Sequence, residues 1–159
     1  MKENDKSTIM DGINDLDLEM IKLKLMDQEE GEGWSREYAE QVEEEYRKFL
    51  ALTRAFPDMA IVPSEPVDKF WHNHILDTQK YAPDCEKVFG FFLHHFPYFG
   101  MRGEEDMNNL NKSWDNTIDA YRKFFGDPPA GFWNSGMRCP KCGRIEAYAM
   151  PRDVAIVAD

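Results

Sequence analysis

From Tyr38 to Phe125 the large apolar side chains return every three or four residues, and that rhythm restricts the chain to helices packed on helices. Tyr38, Val42, Tyr46, Phe49, Leu50 and Phe56 trace one face of a long helix. Ser35 is its expected N-cap, with Glu37 in the first turn and Glu40, Glu43, Glu44 and Lys48 left for solvent. Pro57 and Pro63 bracket a connector, after which Ser64 caps the next helix and Pro66 fits its first turn. Along that helix Val67, Phe70, Trp71, His74, Ile75, Thr78 and Tyr81 share one side. Pro83 is expected to break it and open another, on which Cys85, Val88, Phe89, Phe92, Leu93 and Phe96 keep helical spacing up to Pro97 and Gly100. Asp106 is the expected cap of a last helix, with Met107, Leu110, Trp114, Ile118, Tyr121 and Phe125 inside and Gly126 to Pro129 as its stop.

The two ends differ from this middle. Residues 1–14 read as a flexible arm, followed by a short helix that Asp15 or Asp17 caps and that runs to Met26. The segment from Gln28 to Gly33 places two glycines among like charges and reads as a solvated loop. After residue 129, Gly131, Gly136 and Gly143 punctuate a turn-rich stretch, and Val154 to Val157 has the composition of a short strand. The expected fold is therefore mostly α: a compact helical domain of about five helices over 15–129, with a small turn-rich or β-hairpin appendage over 130–159.

A chain of 159 residues with 42% hydrophobic and 13% aromatic content can bury roughly two-thirds of its unfolded surface as one domain. Its formal net charge of −11 argues against nucleic-acid binding, which needs cations to displace counterions from phosphates, and against docking on anionic membranes. Residues 1–50 carry 15 acids and 7 bases, whereas Arg138 to Arg152 reverses the sign with four bases and one acid. That short basic stretch reads as a solvated surface. No basic start followed by an apolar run is visible at the N-terminus, and the apolar stretch from Val88 to Gly100 is too short for a membrane span. Three cysteines make no disulfide framework, so a cytoplasmic setting is expected.

All four histidines fall between residues 72 and 95. On a helix, His72 and His74 point about 200° apart, so they cannot ligate one metal from the same face. His74 sits in the apolar stripe and reads as a core imidazole, with Asp77 three residues on as its holder or co-ligand. Asp84 reads as a cap near Pro83. Of the adjacent pair His94 and His95, at most one faces the interior. A fold-back at Pro83 would bring that one toward the start of the preceding helix, near His72 or His74, where the convergence of imidazoles suits zinc or non-haem iron. Cys139 and Cys142, spaced as CxxC and followed by Gly143, form a knuckle that points two sulfurs at one zinc. Its remaining ligands would come from the histidines, from Cys85 or from another chain. The redox reading of CxxC lacks its flanking strand and helix.

Val67, Asp68, Phe70, Trp71, His72, His74, Ile75, Asp77 and Thr78, continued by Tyr81, Asp84, Cys85, Phe89 and Gly90, resemble the signature of the glycine-rich domain-containing protein-like family over roughly residues 35–100. That resemblance implies weight for Trp71, His72, His74, Asp77, Tyr81, Asp84 and Cys85 without a reaction, and its plant members carry glycine-rich or RNA-binding-like regions. This chain has ten glycines and no glycine-rich tail. The functional expectation is a cytoplasmic helical module, stabilised by zinc, that binds a protein partner. The alternative is a metal-dependent enzyme built on His72, His74, Asp77 and one of His94 or His95, with Tyr81 as proton donor.

Overall fold

The computed structural model describes residues 3–133, and over that span the chain is helical. Six helices follow one another: α1 (Glu3–Met10), α2 (Glu19–Met26), α3 (Arg36–Ala55), α4 (Glu65–Leu76), α5 (Thr78–Phe89) and α6 (Glu104–Phe125). The hub is α3, which touches α1, α2, α4 and α6, while α4 lies between α2, α3 and α5. No described helix is long and apolar enough to cross a membrane. The expected hairpin, strand and CxxC knuckle lie outside the described residues.

The long helices form for the reasons their sequences give. Ser35 accepts the Tyr38 N–H at 3.1 Å, Glu37 faces the helix N-terminus and Arg54 the C-terminus. The apolar stripe of α3 buries Val42, Tyr46, Phe49 and Leu50. It packs on Phe70 and Trp71 of α4, with the Tyr46 and Phe70 rings 4.8 Å apart and those of Phe49 and Trp71 5.0 Å apart. Each of these aromatics is wholly buried, a contribution of about 1.5–3 kcal/mol apiece.

Residues 3–10, expected to be part of a flexible arm, form α1, and the chain after them is tied to α3. Arg47 donates to the Ile13 and Leu16 carbonyls, and Arg54 to those of Ile9 and Asp11. Ile13, Leu16 and Leu18 are buried beneath these contacts. Two cations reaching across from another helix leave no periodic trace in the segment they hold. At the other end the packed body runs past residue 129. Trp133 is buried and gives its indole N–H to Glu45 at 2.8 Å, beside the Tyr121 hydroxyl on the same carboxylate oxygen.

Three cap expectations change. Leu18 rather than an aspartate precedes α2, although Asp17 accepts the Glu19 N–H at 3.1 Å. Ser64 stands at the N-cap of α4, yet its buried hydroxyl makes no hydrogen bond. Gly103, not Asp106, caps α6. Asp106 sits in the first turn and reaches back to the Gly100 and Arg102 N–H groups at 2.7 and 3.1 Å.

The break between α4 and α5 lies at Asp77, not at Pro83, so Thr78 and Tyr81 belong to the second helix. Asp77 takes φ −82° and ψ 71°, and its carbonyl accepts the Lys80 and Tyr81 N–H groups at 3.0 and 2.8 Å. Pro83 then falls inside α5, where it has no N–H to give to the carbonyl of Gln79, an exposed residue. The second helix is also shorter than its apolar period suggests. It stops at Phe89 because Gly90 enters the left-handed region at φ 73°, and its N–H closes on the Glu86 carbonyl at 2.9 Å. Residues 91–100 therefore return as a loop.

Candidate metal centre

That loop is fixed from below. The Trp71 indole N–H donates to the Tyr81 hydroxyl at 2.9 Å, and the hydroxyl donates to the Leu93 carbonyl at 2.6 Å. With Leu93 buried and pinned, His95 comes back over α4, its ring 5.1 Å from that of Trp71. There it meets His72, and the two Nε2 atoms lie 2.7 Å apart. In that contact one nitrogen carries a proton and the other offers its lone pair.

Asp68, one helical turn before His72, completes the group. Its Oδ1 lies 3.4 Å from His72 Nε2 and 3.7 Å from His95 Nε2, and the three donor atoms form a cluster of metal-ligand spacing. The same oxygen is buried and makes no hydrogen bond, so its approach to the imidazoles is proximity without pairing. Leaving a buried acceptor unmatched costs about 1–3 kcal/mol, more for a charged group, and the nearby N-terminus of α4 offsets only part of that. A triangle with sides of 2.7, 3.4 and 3.7 Å has a circumradius of about 1.9 Å. Three ligands of a tetrahedral ion with bonds of ~2.0–2.1 Å lie on a circle of that same radius, about 0.7 Å from the ion. A modest rotation of the rings, opening the N···N edge toward ~3.3 Å, would even out the triangle.

His74 belongs to a different structure. Its Nδ1 accepts the Tyr46 hydroxyl at 2.7 Å and its Nε2–H donates to Asp84 at 2.8 Å, while Lys80 approaches the same carboxylate oxygen at 3.1 Å. Burial lowers the imidazole's proton affinity, opposed by Asp84, so the ring is neutral and its tautomer is set by the carboxylate. The Tyr–His–Asp order resembles a nucleophilic triad, but Tyr46 is wholly buried and its hydroxyl is pushed far above the usual phenol range by desolvation. No substrate reaches it, and the chain of bonds is a lock between α3, α4 and α5. Asp84 is thus a mid-helix partner of His74 rather than a cap.

The remaining candidates disperse. Asp77 is exposed at the helix junction and His94 is exposed against the Phe92 ring at 4.8 Å. Cys85 is a buried free thiol whose pKa burial pushes up, close to the Leu93 backbone and the Tyr81 hydroxyl. Cys139 and Cys142 lie outside the described residues. Of the histidines and Asp77, the structure therefore joins His72 with His95 and leaves His74, Asp77 and His94 apart. Asp68 escaped the sequence reading as a ligand, although its spacing of four from His72 on one helix face was the available signal.

These features define a class: a mostly helical domain carrying a two-histidine, one-carboxylate cluster at the edge of its core. The chain belongs to the UCP032817-like family, which matches residues 13–121 and so takes in α2 to α5 and most of α6. The family's description names no activity, substrate or partner. This corrects the resemblance to glycine-rich domain-containing proteins, since the matching family is a different one. No curated protein and no solved structure matches the chain.

Proposed function

We propose that this chain is a metal-binding helical module in which Asp68, His72 and His95 hold one divalent transition ion, with zinc the best fit. The observation that carries this reading is the buried, unpaired Oδ1 of Asp68, set with two imidazole nitrogens on a circle of zinc-ligand size. Two nitrogens and one carboxylate suit a borderline ion, whereas magnesium and calcium favour all-oxygen shells. The ion would neutralise Asp68 and fasten the 91–100 loop to α4, adding a staple beside the Tyr81–Leu93 and Gly100–Asp106 hydrogen bonds that already hold the loop.

Protein purified without chelator should carry about one zinc per chain beyond any held at the CxxC. The double variant Cys139→Ser/Cys142→Ser isolates the proposed site and should keep its ion. His95→Ala in that background should weaken binding by more than about 100-fold, since even outer-sphere partners contribute 10–100-fold. A double variant that takes up no zinc ends this reading.

A protein-partner role has its own observation. Met20 and Leu76 are 69% and 77% exposed and line a groove of about 230 Å³ between α2 and α4, with Ile21, Lys24 and Asn73. Large apolar side chains held in water on adjacent helices are what a contact surface presents. Leu76→Glu should abolish partner retention in a pull-down, and unchanged retention would remove this second role.

A further inference from the structure

We infer that the ion bound by Asp68, His72 and His95 keeps an exchangeable position on its His72 side, open to water and small anions, which makes the centre a Lewis-acid site rather than a closed structural one. This rests on the metal reading above. Structural zinc takes four protein ligands, whereas a working zinc takes three and leaves the fourth position to water or substrate. Among the described residues three donors converge and no fourth joins them. The side chains that might have done so are committed or turned away. His74 leaves the opposite face of α4 and is used by Tyr46 and Asp84. Cys85 is packed below the loop near the Leu93 backbone, and His94 leans on Phe92 in solvent.

The exposure within the triad is one-sided. The Asp68 and His95 side chains are 9% and 14% exposed, and His72 is 33% exposed. The carboxylate and the His95 ring thus form the floor, and solvent reaches the ion past His72. A dication facing a single carboxylate retains a net positive charge, which favours an anionic oxygen or nitrogen donor over a neutral one. Among the described residues, two buried side-chain polar atoms make no hydrogen bond, Asp68 Oδ1 and Ser64 Oγ. Asp68 lies in the first turns of α4, and Ser64 is the residue that caps that helix. The ligand class is a small oxyanion or a polarised carbonyl or phosphoryl oxygen.

The test replaces zinc by cobalt(II) in the full chain and in Cys139→Ser/Cys142→Ser, and follows the visible ligand-field spectrum during titration with azide. An open position gives the same saturable shift in both proteins, and His72→Ala in the double variant erases the spectrum. A cobalt spectrum that azide leaves unmoved shows a closed site and overturns the inference while sparing the metal reading. A sulfur-to-cobalt charge-transfer band together with azide sensitivity that appears only after the cysteines are replaced assigns the fourth position to a thiolate, and overturns it as well. Failure of the double variant to take up cobalt breaks the metal reading itself.

Discussion

His72 and His74 stand two residues apart on one helix and meet opposite fates. His74 points into the core, where both ring nitrogens are paired and the chain Tyr46–His74–Asp84–Lys80 ends at a cation. His72 points to the rim, where it meets a second imidazole and a carboxylate oxygen that is buried but unpaired. The polar atoms of the first cluster satisfy one another. The second leaves a buried carboxylate oxygen without a hydrogen-bond donor, and no cation pairs with it among the described residues. A saturated network specifies structure, and a network missing a positive partner specifies a ligand. The contrast separates a histidine that holds the fold from one that, on the proposed reading, would ligate an ion.

The largest effect should come from the saturated side. His74→Ala strands the Tyr46 hydroxyl and removes one partner of Asp84, and should lower stability by about 3–5 kcal/mol in urea unfolding. A loss below ~1 kcal/mol would mean the lock is slack, and the contrast with His72 would collapse. Trp133→Phe removes one charge-assisted hydrogen bond to buried Glu45 while keeping an aromatic ring. It should lower stability by about 2 kcal/mol, which also measures how firmly residue 133 belongs to the helical body.

On the unsaturated side the sign should depend on the metal. With chelator present, Asp68→Leu removes an unpaired buried acceptor and should raise stability by about 1 kcal/mol. With zinc present, Asp68→Leu in the Cys139→Ser/Cys142→Ser background should lose the zinc-induced rise in melting temperature that this background shows. If Asp68→Leu instead costs about 3 kcal/mol without metal, Asp68 is structural and the two histidines are not so different.

The smallest effect is in pH. The imidazole of His74 has its folded-state proton affinity lowered from an ordinary value near 6.5 by burial. The unfolded chain therefore binds the proton first, and metal-free stability should fall as pH drops below about 6.5 and be fully present above it. In His74→Gln that part of the slope should vanish. An unchanged slope would move its origin to other groups.

Much of the helical framework follows from the sequence alone, because periodic burial and end signals are local. Ser35 as a cap, the Val42, Tyr46, Phe49 and Leu50 stripe of α3, the Leu110, Trp114 and Tyr121 row of α6, and the divergence of His72 from His74 follow from local rules and 3.6 residues per turn, whereas Phe124 rather than Phe125 is buried. The local rules misplaced the turn. Pro83 looked like the breaker, yet it falls inside α5, and the chain bent at Asp77. Gly90 and Asp106 show the same limit, since an apolar period runs straight through the first and a capping residue type marks the second without occupying the cap.

What the sequence determined is which residues share a helix face: Asp68 with His72, and His74 with the core. What only the tertiary structure decided is which faces meet. His95 rather than His94 reaches His72 because Trp71 and Tyr81 hold the Leu93 carbonyl, and Asp84 rather than Asp77 reaches His74 because α5 packs back on α4. Contacts between segments depend on where a loop is anchored in space, and a loop's anchor has no period to read.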